Sequence, residues 1–193
     1  MAMTQAEAVA TLDAGQDQLD ALLSRLDDAQ VEAPATIGDG DWSARDLLAH
    51  IAFWEELALE AAVHWRAGQV PSIETVFLEN GVDRLNADNQ QRSRNLTLVE
   101  VRERAAAAHQ ALRSLVSDLT RSEWTARAPY ETERRESLGM MLGAITGAPR
   151  RGFGHAFAHL PDLEAYVNRL GRWAPREARH GAPGSATPGC QDL

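Results

Sequence analysis

Between residues 47 and 65 an apolar side chain recurs at alternating steps of four and three residues. The positions are Leu47, Ile51, Trp54, Ala58, Ala61 and Trp65. This spacing is typical of an α-helix that buries one narrow seam against neighbouring helices of a bundle. A β-strand would need a period of two. The segment therefore predicts helix-on-helix packing.

Three further segments carry a helical period, so the sequence predicts four long helices. We expect them over about residues 4–30, 43–67, 97–119 and 138–170, the last with a break at Gly147-Ala148-Pro149. A shorter helix around 73–94 is expected to connect the second and third. No useful run of β-branched residues alternates with polar ones, so a sheet is not expected.

Three of these helices begin with the spacing of a capping box. In this motif a hydroxyl accepts from the N3 amide and an acidic side chain at N3 reaches back to the N-cap amide. The pairs are Thr4/Glu7, Ser43/Asp46 and Thr97/Glu100. Asp46 lies one turn before a histidine, but its N3 position favours this capping role over a catalytic one.

The helix order describes an all-α four-helix bundle with a longer crossover between the second and third long helices. A chain of 193 residues fits one domain. We assign residues 1–172 to the bundle and expect 173–193 to form a disordered tail, because that stretch has linker composition and little apolar surface. His180 and Cys190 fall in the tail, where no role is expected for them.

The amino-acid composition argues against several classes of partner and of catalytic chemistry. The formal net charge of −9 argues against a nucleic-acid partner, which would need a basic surface. All 19 basic residues are Arg, which excludes a lysine nucleophile or Schiff base. No apolar run approaches the ~18 residues of a membrane span and no basic, apolar leader is visible, so we expect a cytoplasmic protein without a membrane partner.

Three histidines are the candidate metal ligands. His50 lies three residues after Leu47 and four before Trp54, so its ring is expected to face inward. In "GHAFAHLPDLEAYV", His155 and His159 are four residues apart, which places their Cβ atoms about 6 Å apart on one helical face. Together, three imidazoles from facing helices would form a divalent metal site with an open position.

Structural explanations remain open for each histidine. A lone inward histidine is more often an ordinary core residue, two helical histidines also occur on solvated faces, and Pro161 could kink the helix just past His159. His109 is the substitute ligand should one of the three fail. His64 is excluded as a partner of His50, because about 21 Å of helix separates them.

Other polar residues are candidates for supporting roles. Glu55 and Glu56 follow His50 by more than a turn, and we consider them as catalytic proton acceptors, with an exposed helix face as the alternative. Asp83 and Asn86 are lesser candidates for the mouth of the pocket. Arg150 and Arg151 are lesser candidates for binding a carboxylate.

The blocks "GDWSARDLLAHIAFWEE", "VDRLNADNQQRSRNLTLVEVRERAAAAHQAL" and "GHAFAHLPDLEAYV" resemble the DinB-like superfamily of four-helix bundles over about residues 5–170. The closer similarity is to its ClbS/DfsB branch, and the chain is also similar to mycothiol-dependent maleylpyruvate isomerase N-terminal-like bundles. In metal-binding members, one histidine late in the second-helix block and two in the final helix hold a divalent cation. The matching residues are His50, His155 and His159. The glycine-rich "TGAPRRGFG" and Pro161 depart from the family's smooth final helix.

Three functions are compatible with these features. The first is a metal-dependent enzyme that acts on a small electrophilic molecule by hydrolysis or by transfer of a low-molecular-weight thiol such as mycothiol, using Zn, Ni, Co or Fe. The second is a metal-independent, ClbS-like self-resistance protein that binds or hydrolyses a reactive natural product, for example by opening a cyclopropane. The third is a non-catalytic binding or association bundle. Self-association into a homodimer is left open.

Overall fold

The computed structural model describes residues 3–38, 40–131 and 136–173, which form an all-α fold. Its helices are α1 Gln5–Leu23, α2 Asp28–Glu32, α3 Ala44–Arg66, α4 Ser72–Ser93, α5 Leu98–Asp118, α6 Arg121–Thr125, α7 Leu138–Ile145 and α8 His155–Trp173. Within these ranges, extended pairing occurs only as isolated bridges. The predicted fold class is confirmed.

Four long elements make up the bundle: α1, α3, α5 and the consecutive pair α7 and α8. Helix α3 packs against α5, α7 and α8, and α1 packs against α5 and α8. Helix α4 is the predicted crossover; it begins after Pro71 and bends at Gly81, whose φ of 72° lies in the left-handed region. The fourth element breaks where the sequence predicts, between Ile145 and His155.

The first helix is shorter than predicted. It ends at Leu23 rather than near residue 30, and a separate short helix, α2, follows. The Asp27 carboxylate accepts from the Gln30 amide (2.8 Å), and the Gln30 side chain accepts from the Asp27 amide (3.0 Å). This reciprocal capping box begins a new helix, so the periodic pattern over 4–30 covers two helices.

The core follows the predicted seam. All six seam residues of α3 are buried, and the three predicted capping boxes are present. Leu47 and Ile51 belong to one apolar cluster, and Trp54 and Trp65 belong to a second. His50 therefore lies on α3 where the two apolar clusters meet, and only 5% of its surface is exposed.

The predicted tail lies outside the described residues, apart from residue 173 at the end of α8. The same holds for His180 and Cys190, so their predicted lack of a role stays a prediction. None of the described helices has the length and apolar character needed to cross a membrane.

Candidate metal centre

Three imidazoles converge between α3 and α8. The Nε2 atom of His155 lies 3.0 Å from the Nε2 atom of His50 and 3.0 Å from that of His159. One ligating atom from each of the three residues lies within 4.8 Å of the other two. The structure therefore brings together the three histidines that the sequence predicts as ligands.

Side-chain contacts with α4 hold the first turns of α3 in place. The Arg45 guanidinium donates to the Ser93 carbonyl at the end of α4 (2.6 Å), and the Asn89 amide donates to the Ala49 carbonyl (3.3 Å). Both bonds involve α3 residues that shortly precede His50 in the chain. Since a carbonyl inside a helix cannot move independently of its neighbours, they restrain the position of the His50 ring.

A tight turn directs the chain into α8. Ala148 and Arg151 exchange two backbone hydrogen bonds (2.8 and 2.9 Å), and the His155 amide donates to the Thr146 carbonyl (2.9 Å). His155 is thereby placed in the first turn of α8, on the same face as His159. The break was predicted from the sequence, but the direction of α8 after it, which brings His155 close to α3, was not.

Pro161 does not separate the two histidines of α8. The helix runs from His155 to Trp173 and contains Pro161 in its interior. Proline lacks the N–H that would bond to the carbonyl four residues earlier, which is that of Phe157. Both histidine side chains nevertheless remain within reach of one another, as the 3.0 Å contact between their Nε2 atoms shows.

Burial keeps the three imidazoles neutral. Burial, assisted by the charges of His155 and His159, lowers the pKa of His50 to about 2. Burial and the charge of His159 lower the pKa of His155 to about 3, and burial also lowers the pKa of His159. Two tryptophans help to exclude water: the Trp42 ring lies 4.7 Å from that of His50, and Trp54 lies 5.7 Å from that of His155.

The donor set fits a divalent cation. A neutral imidazole has one N–H and one lone pair. The Nε2 atom of His155 can therefore form a hydrogen bond with only one of its two histidine neighbours. Within the described residues, the buried Nδ1 atoms of His50 and His155 have no hydrogen-bond partner. If all three imidazoles carry their proton on Nδ1, the three Nε2 lone pairs are all available to a cation at the cluster. Separations of 3.0 Å are compatible with metal–nitrogen bonds of about 2.0–2.1 Å.

The predicted catalytic carboxylates are engaged with α5. The Glu55 carboxylate lies 3.1 Å from Nδ1 of His109, and Glu56 accepts two hydrogen bonds from Arg104 (2.7 and 2.6 Å). His109, the predicted substitute ligand, thus pairs with Glu55 and is not part of the three-histidine group. A catalytic role for Glu55 or Glu56 stays a prediction.

Asp46 and His64 have the roles expected of them. The Asp46 carboxylate completes the capping box with Ser43, accepting from its amide (2.9 Å) and its hydroxyl (2.7 Å). His64 lies near the end of α3, 3.4 Å from the Glu60 carboxylate, and takes no part in the cluster.

A cleft of about 280 Å³ opens onto His50 and His155. Trp54, Asn86 and Ile145 are among its other lining residues, and Asn86 accepts a hydrogen bond from the Trp54 indole N–H (3.2 Å). Asn86 therefore lines the pocket as predicted, whereas Asp83 is exposed and is not part of the lining. The cleft therefore borders two of the three candidate ligands, His50 and His155.

The two arginines before α8 lie outside that cleft. Both are exposed and line a separate groove. The Arg151 guanidinium stacks over the Phe157 ring at 3.7 Å from its centre. Carboxylate binding by Arg150 and Arg151 stays a prediction.

Trp42, a neighbour of His50, was not predicted from the sequence. Its position directly before the Ser43 N-cap was the available signal.

An all-α bundle with three inward histidines and an adjoining cleft defines a class of small helical proteins with a candidate metal site. The sequence profile of the DinB superfamily matches residues 6–175, so the chain belongs to this superfamily. No curated protein matches the sequence.

Two solved structures share the fold. An uncharacterised protein from Escherichia coli UTI89 superposes with a TM-score of 0.71 at 17% identity, covering 87% of this chain and 95% of that one. The colibactin self-resistance protein ClbS, in complex with double-stranded DNA, superposes with a TM-score of 0.65 at 16% identity, covering 89% of this chain and 97% of that one. At these identities the similarity establishes the fold alone.

Proposed function

We propose that this protein is a metal-dependent enzyme that acts on a small electrophilic molecule, by hydrolysis or by transfer of a low-molecular-weight thiol. His50, His155 and His159 would hold one divalent ion through their Nε2 atoms. The observation that supports this most directly is the clustering of three imidazoles, buried at His50 and half-buried at His155 and His159, beside an open cleft. Three protein ligands leave a position free for a further ligand.

The chain's own residues would bind and orient the substrate. A divalent ion, when bound, supplies Lewis acidity at the cleft. Trp54 forms one wall of the cleft and its indole is fixed by the hydrogen bond to Asn86. Trp42 covers the other side of His50 and limits water access. With no lysine in the chain, the attacking group comes from water or an added thiol rather than from a lysine of the protein.

Metal analysis of protein purified without a histidine tag tests the site. We expect about one Zn, Ni, Co or Fe ion per chain, and loss of that ion in His50→Ala, His155→Ala and His159→Ala. His64→Ala is the matched control, because it removes an imidazole from the same helix as His50. Wild-type protein that contains no metal and takes up neither Zn nor Ni would exclude the proposed site.

Turnover then separates the two reactions. A panel of epoxides and unsaturated carbonyl compounds is incubated with the protein, with and without a thiol such as mycothiol. We expect activity to fall on chelation and to return when the ion is restored. Dependence on the added thiol would assign thiol transfer, and turnover without it would assign hydrolysis.

The fold similarity to ClbS favours a second candidate, a metal-independent self-resistance protein that binds or hydrolyses a reactive natural product. Undiminished turnover by metal-free protein or by His50→Ala would select this candidate over the first. The ClbS structure contains DNA, whereas the present chain carries a net charge of −9. We therefore retain the prediction that this chain has no nucleic-acid partner.

A further inference from the structure

A second cavity, of about 230 Å³, adjoins the cleft at the histidines. The two share Trp54, Ala144 and Ile145 as lining residues, so the end of α7 and one face of α3 border both. The second cavity extends away from the histidines toward Glu74 and Glu136. A molecule with its reactive end at His50 and His155 could place another part of itself here.

The Glu74 carboxylate is held in a defined position. It lies in the first turn of α4, and its Oε1 atom accepts a hydrogen bond from the Tyr130 hydroxyl (2.9 Å). The Tyr130 ring packs edge-on against Trp65, with the ring centres 5.6 Å apart. Because Tyr130 is anchored in this way, its hydrogen bond fixes the orientation of the Glu74 carboxylate at the wall of the cavity.

Negative charge is concentrated at this end of the cavity. Burial raises the pKa of Tyr130, and the hydrogen bond and charge of Glu74 together with the charge of Glu136 raise it further. The carboxylates of Glu74 and Glu136 therefore both lie close enough to Tyr130 to raise its pKa. Among the described residues, the other walls include Ile73, Met141 and Ile145, which are apolar.

We infer that this cavity selects molecules in which an ammonium group is attached to an apolar body, with Glu74 as the main residue that recognises the cation. Glu136 adds negative charge, and the Trp54 wall favours a cation through its aromatic ring. The cavity is smaller than the roughly 300–1,000 Å³ of typical ligand pockets, so it suits a single amine and a short apolar segment. As a statement about the substrate, the inference rests on the proposed function; the cation preference of the cavity does not.

Binding of simple probes to the full-length protein tests this inference. The probes are 2-phenylethylamine, which is cationic at pH 7, and the similarly shaped neutral 2-phenylethanol. Binding is followed by NMR through the indole N–H resonance of Trp54, which Trp54→Phe assigns. We expect the amine to bind at least tenfold more tightly than the alcohol, because only the amine pairs with the carboxylate.

Variants identify the residue responsible. Glu74→Gln should reduce amine affinity about tenfold and leave alcohol affinity unchanged, and Glu136→Gln should have a smaller effect of the same kind. Glu103→Gln, which changes an exposed carboxylate on α5, should bind both probes like the wild type. Equal affinity for the two probes, no binding of the amine, or an unchanged amine affinity in Glu74→Gln would overturn the inference.

Repeating the titration with His50→Ala separates this inference from the proposed function. Amine selectivity that persists in this variant, together with absence of metal from the wild type, would reject the metal enzyme and leave the cation-selective cavity. Bound metal in the wild type with no preference for the amine would support the metal enzyme and reject the cation-selective cavity.

Discussion

The Nε2 atom of His50 lies 3.0 Å from that of His155, although the two histidines are 105 positions apart in the chain. Close contact between two neutral imidazoles is favourable when one donates a hydrogen bond to the other or when both bind a cation. Because His159 approaches the same His155 atom at 3.0 Å, a shared cation satisfies all three nitrogens at once. This relationship has consequences for stability that can be measured.

Metal should stabilise the folded protein. At a free Zn or Ni concentration 100-fold above the dissociation constant, binding to the native state alone adds about 2.7 kcal/mol to the free energy of unfolding. For a domain of this size, each kcal/mol raises the melting temperature by about 2–4 °C. His159→Ala should lose this increase while keeping its helical circular-dichroism spectrum, and His64→Ala should keep both. An equal increase in His159→Ala would show that the metal binds elsewhere.

The His109–Glu55 pair should make stability depend on pH. Burial lowers the pKa of His109, but the hydrogen bond and charge of Glu55, with the charges of Asp13 and Asp20, outweigh it, so the net shift is upward. A raised folded-state pKa gives a contribution that is complete below the unfolded value of about 6.5 and is lost as pH rises through the folded value.

Removing the His109 side chain should therefore lower the free energy of unfolding most at low pH. His109→Ala leaves the buried Glu55 without its partner and should lower the free energy of unfolding by about 3 kcal/mol at pH 6. The deficit should shrink as the pH rises toward 9. Urea denaturation of the wild type and the variant across this range measures it, and a deficit that is the same at every pH would contradict the assignment. His64→Ala should change stability by no more than about 0.5 kcal/mol.

Glu56→Gln tests whether this carboxylate has a bridging or a catalytic role. The paired Arg104 and Glu56 side chains are 23% and 39% exposed, so losing the ion pair should cost only about 1 kcal/mol. Metal content should not change. A fall in turnover of about 100-fold with the metal retained would establish Glu56 as catalytic, whereas unchanged turnover would leave it a bridge between α3 and α5.

Two glycine substitutions test side-chain packing at one crowded and one open helix position. A Cβ atom on Gly139 would lie 2.4 Å from a ring carbon of Trp124, so Gly139→Ala should lower the free energy of unfolding by about 1–3 kcal/mol. Gly171, in α8, has no atom within 4 Å of the same position, and Gly171→Ala should raise it by up to about 1 kcal/mol. Thermal unfolding of the two variants should give opposite shifts in melting temperature, and a neutral Gly139→Ala would mean that Trp124 moves aside easily.

Local regularities determined most of the fold. Seam spacing in α3, the capping boxes at Thr4, Ser43 and Thr97, and the break after Ile145 were all readable because they depend on residues within a few positions of one another. The end of α1 was readable by the same rule, since Asp27 and Gln30 form a capping box that the longer apolar pattern concealed.

The sequence by itself determined that His50 would face inward and that His155 and His159 would share one face of a helix, because helical period alone decides which side of a helix a residue occupies. Tertiary packing decided that their Nε2 atoms meet, that Glu55 and Glu56 contact α5, and that Glu74 and Glu136 border one cavity. These relationships depend on how helices rotate and shift against each other. That arrangement is set by side-chain packing between segments far apart in the chain, which no local spacing encodes.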